Sequence, residues 1–278
     1  VRYWYVGLKA YLRIIVSAVL VLPAVAQSQQ TYLGMDRNDY PGDAPMKAMR
    51  QTFTFTGYWL NNPPGERVNT WKGHRPALQA MGYGFLLMFN GREYAQLKGR
   101  HAAQIGTNDA AAAVQAAQHE GFPKGAIIFL DQEQGGRMLP EQRAYIHAWY
   151  DAVVHSGYRA GVYCSGIAFQ ESANVSVVTA NDIRDNAGGR ELHFFVSNDR
   201  CPPSPGCVYP KLAPRPAESG TGFADVWQYG QSPRRPEMTS ACRQTYAADG
   251  SCYAPGTANI YVDIDTATSA DPSQGRTR

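Results

Sequence analysis

One stretch constrains this chain more than any other. Ala126-Ile127-Ile128-Phe129-Leu130 is five apolar residues in a row, followed at once by Asp131-Gln132-Glu133. A strand that is apolar on both faces must be covered on both, which is the habit of parallel sheets flanked by helices. The acids then fall where such a strand would end.

The same rhythm runs through the first two thirds of the chain. Strands are predicted at Tyr32 to Asp36, Phe53 to Leu60, Gly84 to Phe89, Ala126 to Leu130 and Arg159 to Cys164. Helices are predicted between them: Asp43 to Gln51 with Asp43 as N-cap, Pro76 to Met81, Thr107 to Glu120, and Leu139 to Ser156. The last of these is the clearest, with Tyr145, Ile146, Trp149 and Val153 at helical spacing and Gly157 as its stop. Later strands are expected at Leu192 to Val196, Ala224 to Tyr229 and Ile260 to Ile264, with prolines, glycines and cysteines in place of helical patterns between them. Eight strands, five of them followed by helices, predict an α/β fold: a TIM-type (β/α) barrel, a single domain whose last three strands are poor in helices. The barrel is expected over 27–265, and the polar segment 266–278 is expected to be a disordered tail.

The amino-terminal segment reads as a signal peptide over 1–26. Arg2, Lys9 and Arg13 precede an apolar run from Ile14 to Val25, and Ala24-Val25-Ala26 supplies a cleavage pattern. The run falls short of the roughly 20 apolar residues that cross a bilayer. A secreted, periplasmic or cell-envelope location without a stable membrane span is therefore expected, in a monomer. The formal charge is +3. Removing three cations with that segment leaves a nearly neutral chain with no electrostatic grip on nucleic acid. Export permits disulfides. Cys201 and Cys207 bracket one irregular loop and Cys242 and Cys252 another, so two local pairs are expected, although other connectivities stay open. Cys164, inside an apolar strand, is expected to be a buried free thiol.

The chemistry is expected at the strand ends. Asp36 closes the first strand, Asp131 and Glu133 follow the fourth, Asp199 follows the sixth, and Asp263 and Asp265 close the last. In a parallel barrel the strand C-termini converge on one face, so these acids become neighbours in space. Asp131 and Glu133, two apart, point to the same side in extended backbone; a one-residue slip of the strand would reverse that. Crowded carboxylates drive one another's pKa upward and leave one protonated as an acid. Tyr58 and Trp59, Tyr163, and Trp227-Gln228-Tyr229 place aromatic rings and an amide beside the same ends, which suits a sugar ring. Asn61, Asn62, Asn90 and Asn198 add polar groups. No cofactor is expected. No histidine joins the acids, so zinc is not expected, while a divalent cation stays an open reading.

Gly34-Met35-Asp36, Asp131-Gln132-Glu133, Gly161-Val162-Tyr163-Cys164-Ser165, Val226-Trp227-Gln228-Tyr229 and Val262-Asp263-Ile264-Asp265 occur in that order. Together they resemble the glycoside-hydrolase-like family known as domain of unknown function 1906, related to the family-25 lysozymes. The resemblance implies a β/α barrel acting on cell-wall polysaccharide, with Glu133 as general acid and Asp131 orienting the substrate's N-acetyl group. It implies that Asp36 and Asp263 complete an acidic ring. Trp227, Gln228, Tyr163, Trp59, Asn90 and Asp265 are the expected substrate contacts. The lysozymes carry a hydrophobic residue and asparagine after the last strand's aspartate, where this chain has Asp265. The leading expectation is an exported hydrolase of peptidoglycan-like, β-linked amino sugars. A non-catalytic glycan-binding envelope protein and a metal-dependent phosphodiesterase stand as alternatives.

Overall fold

The computed structural model describes residues 1, 30–198, 213–232, 253–254, 256–257 and 259–277. The signal-peptide reading, Asp199, and the pairs expected of Cys201, Cys207, Cys242 and Cys252 lie outside those residues. Cys164 is buried and free.

Eight strands close into a barrel. Its first half alternates as predicted: β1 (Tyr32–Asp36), α1 (Asp43–Met49), β2 (Phe55–Trp59), α2 (Arg75–Ala80), β3 (Gly84–Asn90), a single turn α3 (Tyr94–Leu97), α4 (Ala102–His119), β4 (Ile127–Asp131), α5 (Pro140–His155) and β5 (Arg159–Ser165). A solvent-exposed hairpin of β6 (Ala168–Ser172) and β7 (Val175–Val178) then leads into α6 (Thr179–Asp185). The barrel resumes with β8 (His193–Ser197), β9 (Val226–Ser232) and β10 (Val262–Ala267). The order around the barrel is β1-β10-β9-β8-β5-β4-β3-β2. Ile127 to Leu130 are all buried, as a strand between lumen and helices must be.

Three expectations need correction. The barrel is mixed: β10 runs antiparallel to both β1 and β9. Asp263 therefore stands near the start of its strand, not the end, and reaches the mouth because antiparallel register sets it opposite Asp36. Asp265 consequently lies two residues deeper, opposite Gly34 on one side and Gln228 on the other.

Of the segment expected as a disordered tail, residues 266–277 are no loose tail. Thr266 and Ala267 belong to β10, and the following residues pack beneath β3 and β4. Ser273 is fully buried: its N–H donates to Phe85 O (2.8 Å), its carbonyl accepts from Ile127 N–H (2.8 Å), and its hydroxyl accepts from Leu87 N–H (2.8 Å). Polar composition misled here because these polar groups satisfy strand N–H groups that have no neighbouring strand to bond. Asp43 is the first helical residue rather than the N-cap, which is Gly42; its carboxylate instead accepts the Tyr40 hydroxyl (2.5 Å).

Candidate functional site

Strand alternation decides which side chains enter the barrel mouth. The pocket there, about 210 Å³, is lined by Asp36, Asp131, Glu133 and Asp263. Four acids predicted from three separate stretches thus meet in one place. Met88 and Trp59 give it an apolar side, and Tyr163 and Gln228 a polar one. Asn38 and Pro64 complete the rim, tied together by the Asn38 amide donating to Pro64 O (2.9 Å). Neither was singled out in the sequence, because both sit in irregular loops with no periodicity to mark them.

A hydrogen-bonded row fixes one wall. The Tyr163 hydroxyl donates to Gln228 Oε1 (2.9 Å), and Gln228 Nε2 donates to Asp36 Oδ2 (2.8 Å). The amide can face only one way, since its two ends meet a donor and a carboxylate. Asp36 shares a further hydrogen bond with Asp265. Burial pushes the Asp36 carboxyl up to about 6, against the lowering effect of those two bonds and with a smaller upward push from Glu133.

Asp131 is different. It is 5 % exposed, and among the described residues no donor reaches either of its carboxyl oxygens. Burial first, then the charges of Glu133 and Asp36, drive its pKa well above the ordinary carboxylate range. Glu133 stands at the solvent rim, and desolvation by the surrounding wall, followed by repulsion from Glu93, raises its pKa too. Tyr163 is held firmly protonated by burial and by the charges of Glu133, Asp131 and Asp36. A pocket of this kind holds its carboxyl protons to higher pH than free side chains do and offers acceptors to an incoming donor.

A second hollow of about 450 Å³ adjoins the first and shares Pro64, Asp131 and Glu133 with it. Amides line it: Asn61, Asn62, Asn90, Gln96, Gln132 and Gln134. Asn61 and Asn90 lock the ends of β2 and β3 together. Asn61 Nδ2 donates to Asn90 O (3.0 Å), and Asn90 N–H donates back to Asn61 Oδ1 (2.7 Å). Asn90 therefore belongs to this groove and not to the acidic pocket.

Two expected substrate contacts are misplaced. Gln228 faces the lumen, so alternation turns its neighbour Trp227 away; that ring is 4 % exposed, packs 5.5 Å from Tyr229, and donates from Nε1 to Asn198 O (3.2 Å). Asp265 is fully buried below the pocket and cannot touch a ligand in it. Among the described residues no three His, Cys, Asp or Glu side chains group so as to hold a metal ion.

Residues 72–197 match the family model described as Rv2525c-like, glycoside hydrolase-like domain. Over that segment the chain is similar to this glycoside hydrolase-like family. A comparison with curated proteins finds no match. The barrel recurs in solved structures of low identity. An uncharacterised B. stearothermophilus protein superposes with a TM-score of 0.53 at 20 % identity, covering 85 % of this chain and 95 % of that one. The Tat-secreted protein Rv2525c of Mycobacterium tuberculosis, in complex with L-tartrate, gives 0.50 at 17 %, covering 86 % and 95 %. The catalytic domain of endolysin ply40 from Listeria monocytogenes bacteriophage P40 gives 0.50 at 16 %, covering 90 % and 100 %. At such identities these likenesses establish the fold.

Proposed function

We propose that this protein is an exported hydrolase of cell-wall glycan that cuts β-linked amino-sugar polymers, with Glu133 as proton donor. One observation carries the reading: an enclosed Asp131 whose oxygens lack any donor shares a pocket with a raised-pKa Glu133 at its rim. The acetamido N–H of an amino sugar is the donor Asp131 lacks, and a buried acceptor gains most from such a bond. Glu133, whose pKa its surroundings raise, protonates the glycosidic oxygen as the C1–O bond breaks. The acetamido carbonyl oxygen, polarised through its N–H on Asp131, bonds to C1 in the same step. Water then attacks C1, gives its proton to the Glu133 carboxylate, and releases the acetamido oxygen, an exception the two-carboxylate scheme admits. Asp36 would place negative charge beneath the oxocarbenium-like centre.

The family match supports glycoside-hydrolase chemistry, and the endolysin relative supports a cell-wall substrate. Export rests on the amino-terminal sequence pattern and on the secreted relative. The test is release of new reducing ends from purified peptidoglycan by wild type and by Glu133→Gln. Release by wild type, with a loss of about 10²–10⁴-fold in the variant, is expected for removal of a general acid. Equal release by both would remove Glu133 from this role. Binding to glycan without turnover would favour the glycan-holding alternative, for which the amide-lined groove is equally suited. Loss of turnover on chelation would favour the metal-dependent phosphodiesterase.

A further inference from the structure

Beneath the pocket floor a carboxyl group is sealed into the barrel with nothing conventional to bond to. Asp265 is fully buried, and among the described residues both of its oxygens lack an ordinary donor. Its register partners on the flanking strands are Gly34, which has no side chain, and Gln228, whose amide nitrogen is committed to Asp36. The ring of Phe55 fills the space over Gly34: a Cβ there would lie 2.1 Å from Phe55 Cε2. Among the described residues the polar group that bonds Asp265 is the Asp36 carboxyl, with the Asp263 charge acting from nearby. Two carboxyls can bond only if one of them supplies a proton. Asp36 already accepts from Gln228 and faces the pocket, where solvent and ligand can stabilise its charge; Asp265 has neither.

We propose that Asp265 stays protonated and donates its proton to Asp36, acting as a positioning residue that fixes Asp36 as an oriented carboxylate at the pocket floor. Other titratable groups facing this pair oppose any second negative charge: Asp263 on β10, Asp131 and the adjacent Glu133 at the end of β4, with the protonated Tyr163 on β5. Burial and the neighbouring charge of Asp36 act on Asp265 in the same sense. The catalytic consequence rests on the hydrolase reading above; the protonation state does not.

The test therefore has two parts. Infrared spectra of wild type and Asp265→Asn are compared at about pH 8, where ordinary carboxyls are fully ionised. A protonated-carboxyl C=O stretch present in wild type and reduced in the variant is expected; identical spectra in that region overturn the proposal, whether or not the protein hydrolyses glycan. Second, in active protein the acid limb of the kcat/KM profile is followed in two variants. Asp265→Asn keeps a donor to Asp36 and should hold that limb near its wild-type position. Asp265→Ala removes the donor and should move the limb to higher pH. A Tm lowered equally in both variants with no difference in pH profile would mean a packing role only, and would overturn the positioning role.

Discussion

A methyl group on Gly57 would stand 2.7 Å from Cβ of Asp36 and 3.2 Å from its Cα, so β2 passes the pocket floor as bare backbone. Real Cβ atoms do not approach so closely, and β1 cannot retreat without breaking its register with β10. Gly57→Ala should therefore displace Asp36 from its bond with Gln228. Overpacking of this kind costs about 1–3 kcal/mol, which urea unfolding would read. The same methyl meets Met88 Cε at 2.7 Å, and Met88 also lines the pocket, so on the hydrolase reading the larger expected effect is on glycan hydrolysis.

Stability should fall as pH rises through the range where the pocket carboxyls ionise. Asp36 titrates at about 6 in the folded protein against 3.8 for a free side chain. The folded state holds that proton more tightly, so its contribution is complete below 3.8 and is lost as pH rises through about 6. At neutral pH the loss is on the order of 3 kcal/mol for this one group. Asp131, Asp265 and Glu133 are shifted in the same direction. Asp131→Asn, which cannot ionise, should raise the Tm at about pH 8 and bring little gain at about pH 4. A gain that is the same at both values would show that Asp131 is not a buried ionising group. On the hydrolase reading the same variant should lose activity, so the pocket would trade stability for chemistry.

Much of this was readable in the sequence, for reasons particular residues make plain. Ile127 to Leu130 had to be buried on both sides, and that fixed β4 and the position of Asp131 to the residue. Tyr145, Ile146, Trp149 and Val153 fixed α5 in the same way. What failed was direction. No local pattern distinguishes a parallel from an antiparallel β10, because alternation is the same read either way. Asp263 reached the mouth regardless, while Asp265 went below it. Trp227 failed by parity: lumen and exterior alternate, and with Gln228 inside its neighbour had to be outside. The hairpin of β6 and β7 went unnoticed because β6 is exposed throughout, β7 is only half-buried at its end, and neither carries a clear apolar alternation.

An ion pair behind the amide-lined groove should be worth more than a surface contact. Arg92 Nε and Nη2 both bond Asp109, at 2.7 Å each, and the Tyr145 hydroxyl adds a third bond at 2.9 Å. The Asp109 side chain is only 8 % exposed. Bidentate geometry against a buried acid is the strong form of this interaction. It ties the loop after β3, which lines the groove, to α4 and α5. Arg92→Met should cost about 3 kcal/mol by leaving Asp109 without its cation. Asp109→Asn together with Arg92→Met should recover part of that loss, and a double-mutant cycle by chemical denaturation would measure the coupling.

The last residues offer the sharpest contrast between composition and structure. Their polarity predicts a disordered tail, yet Asp271 and Ser273 bond the strand edge that β4 leaves uncovered. Asp271 Oδ1 accepts from Phe85 N–H (2.8 Å), Ser273 bonds three groups on β3 and β4, and Arg276 Nε donates to Tyr83 O (2.7 Å). Arg75 Nη2, on α2, reaches in from outside to Gly275 O (3.0 Å). A chain ended after Thr268 keeps all of β10 but strips partners from the N–H groups of Phe85, Leu87 and Ile127, each buried. An unmet buried donor costs about 1–3 kcal/mol, so the truncation should destabilise by about 4 kcal/mol or more. Ser273→Ala removes the hydroxyl alone and leaves Leu87 N–H unmet, so it should cost about 1–2 kcal/mol. Both are read by denaturant midpoint. A truncated protein as stable as the full chain would show that the segment rests on the barrel without supporting it, since solvent could then reach those N–H groups as readily as Ser273 does.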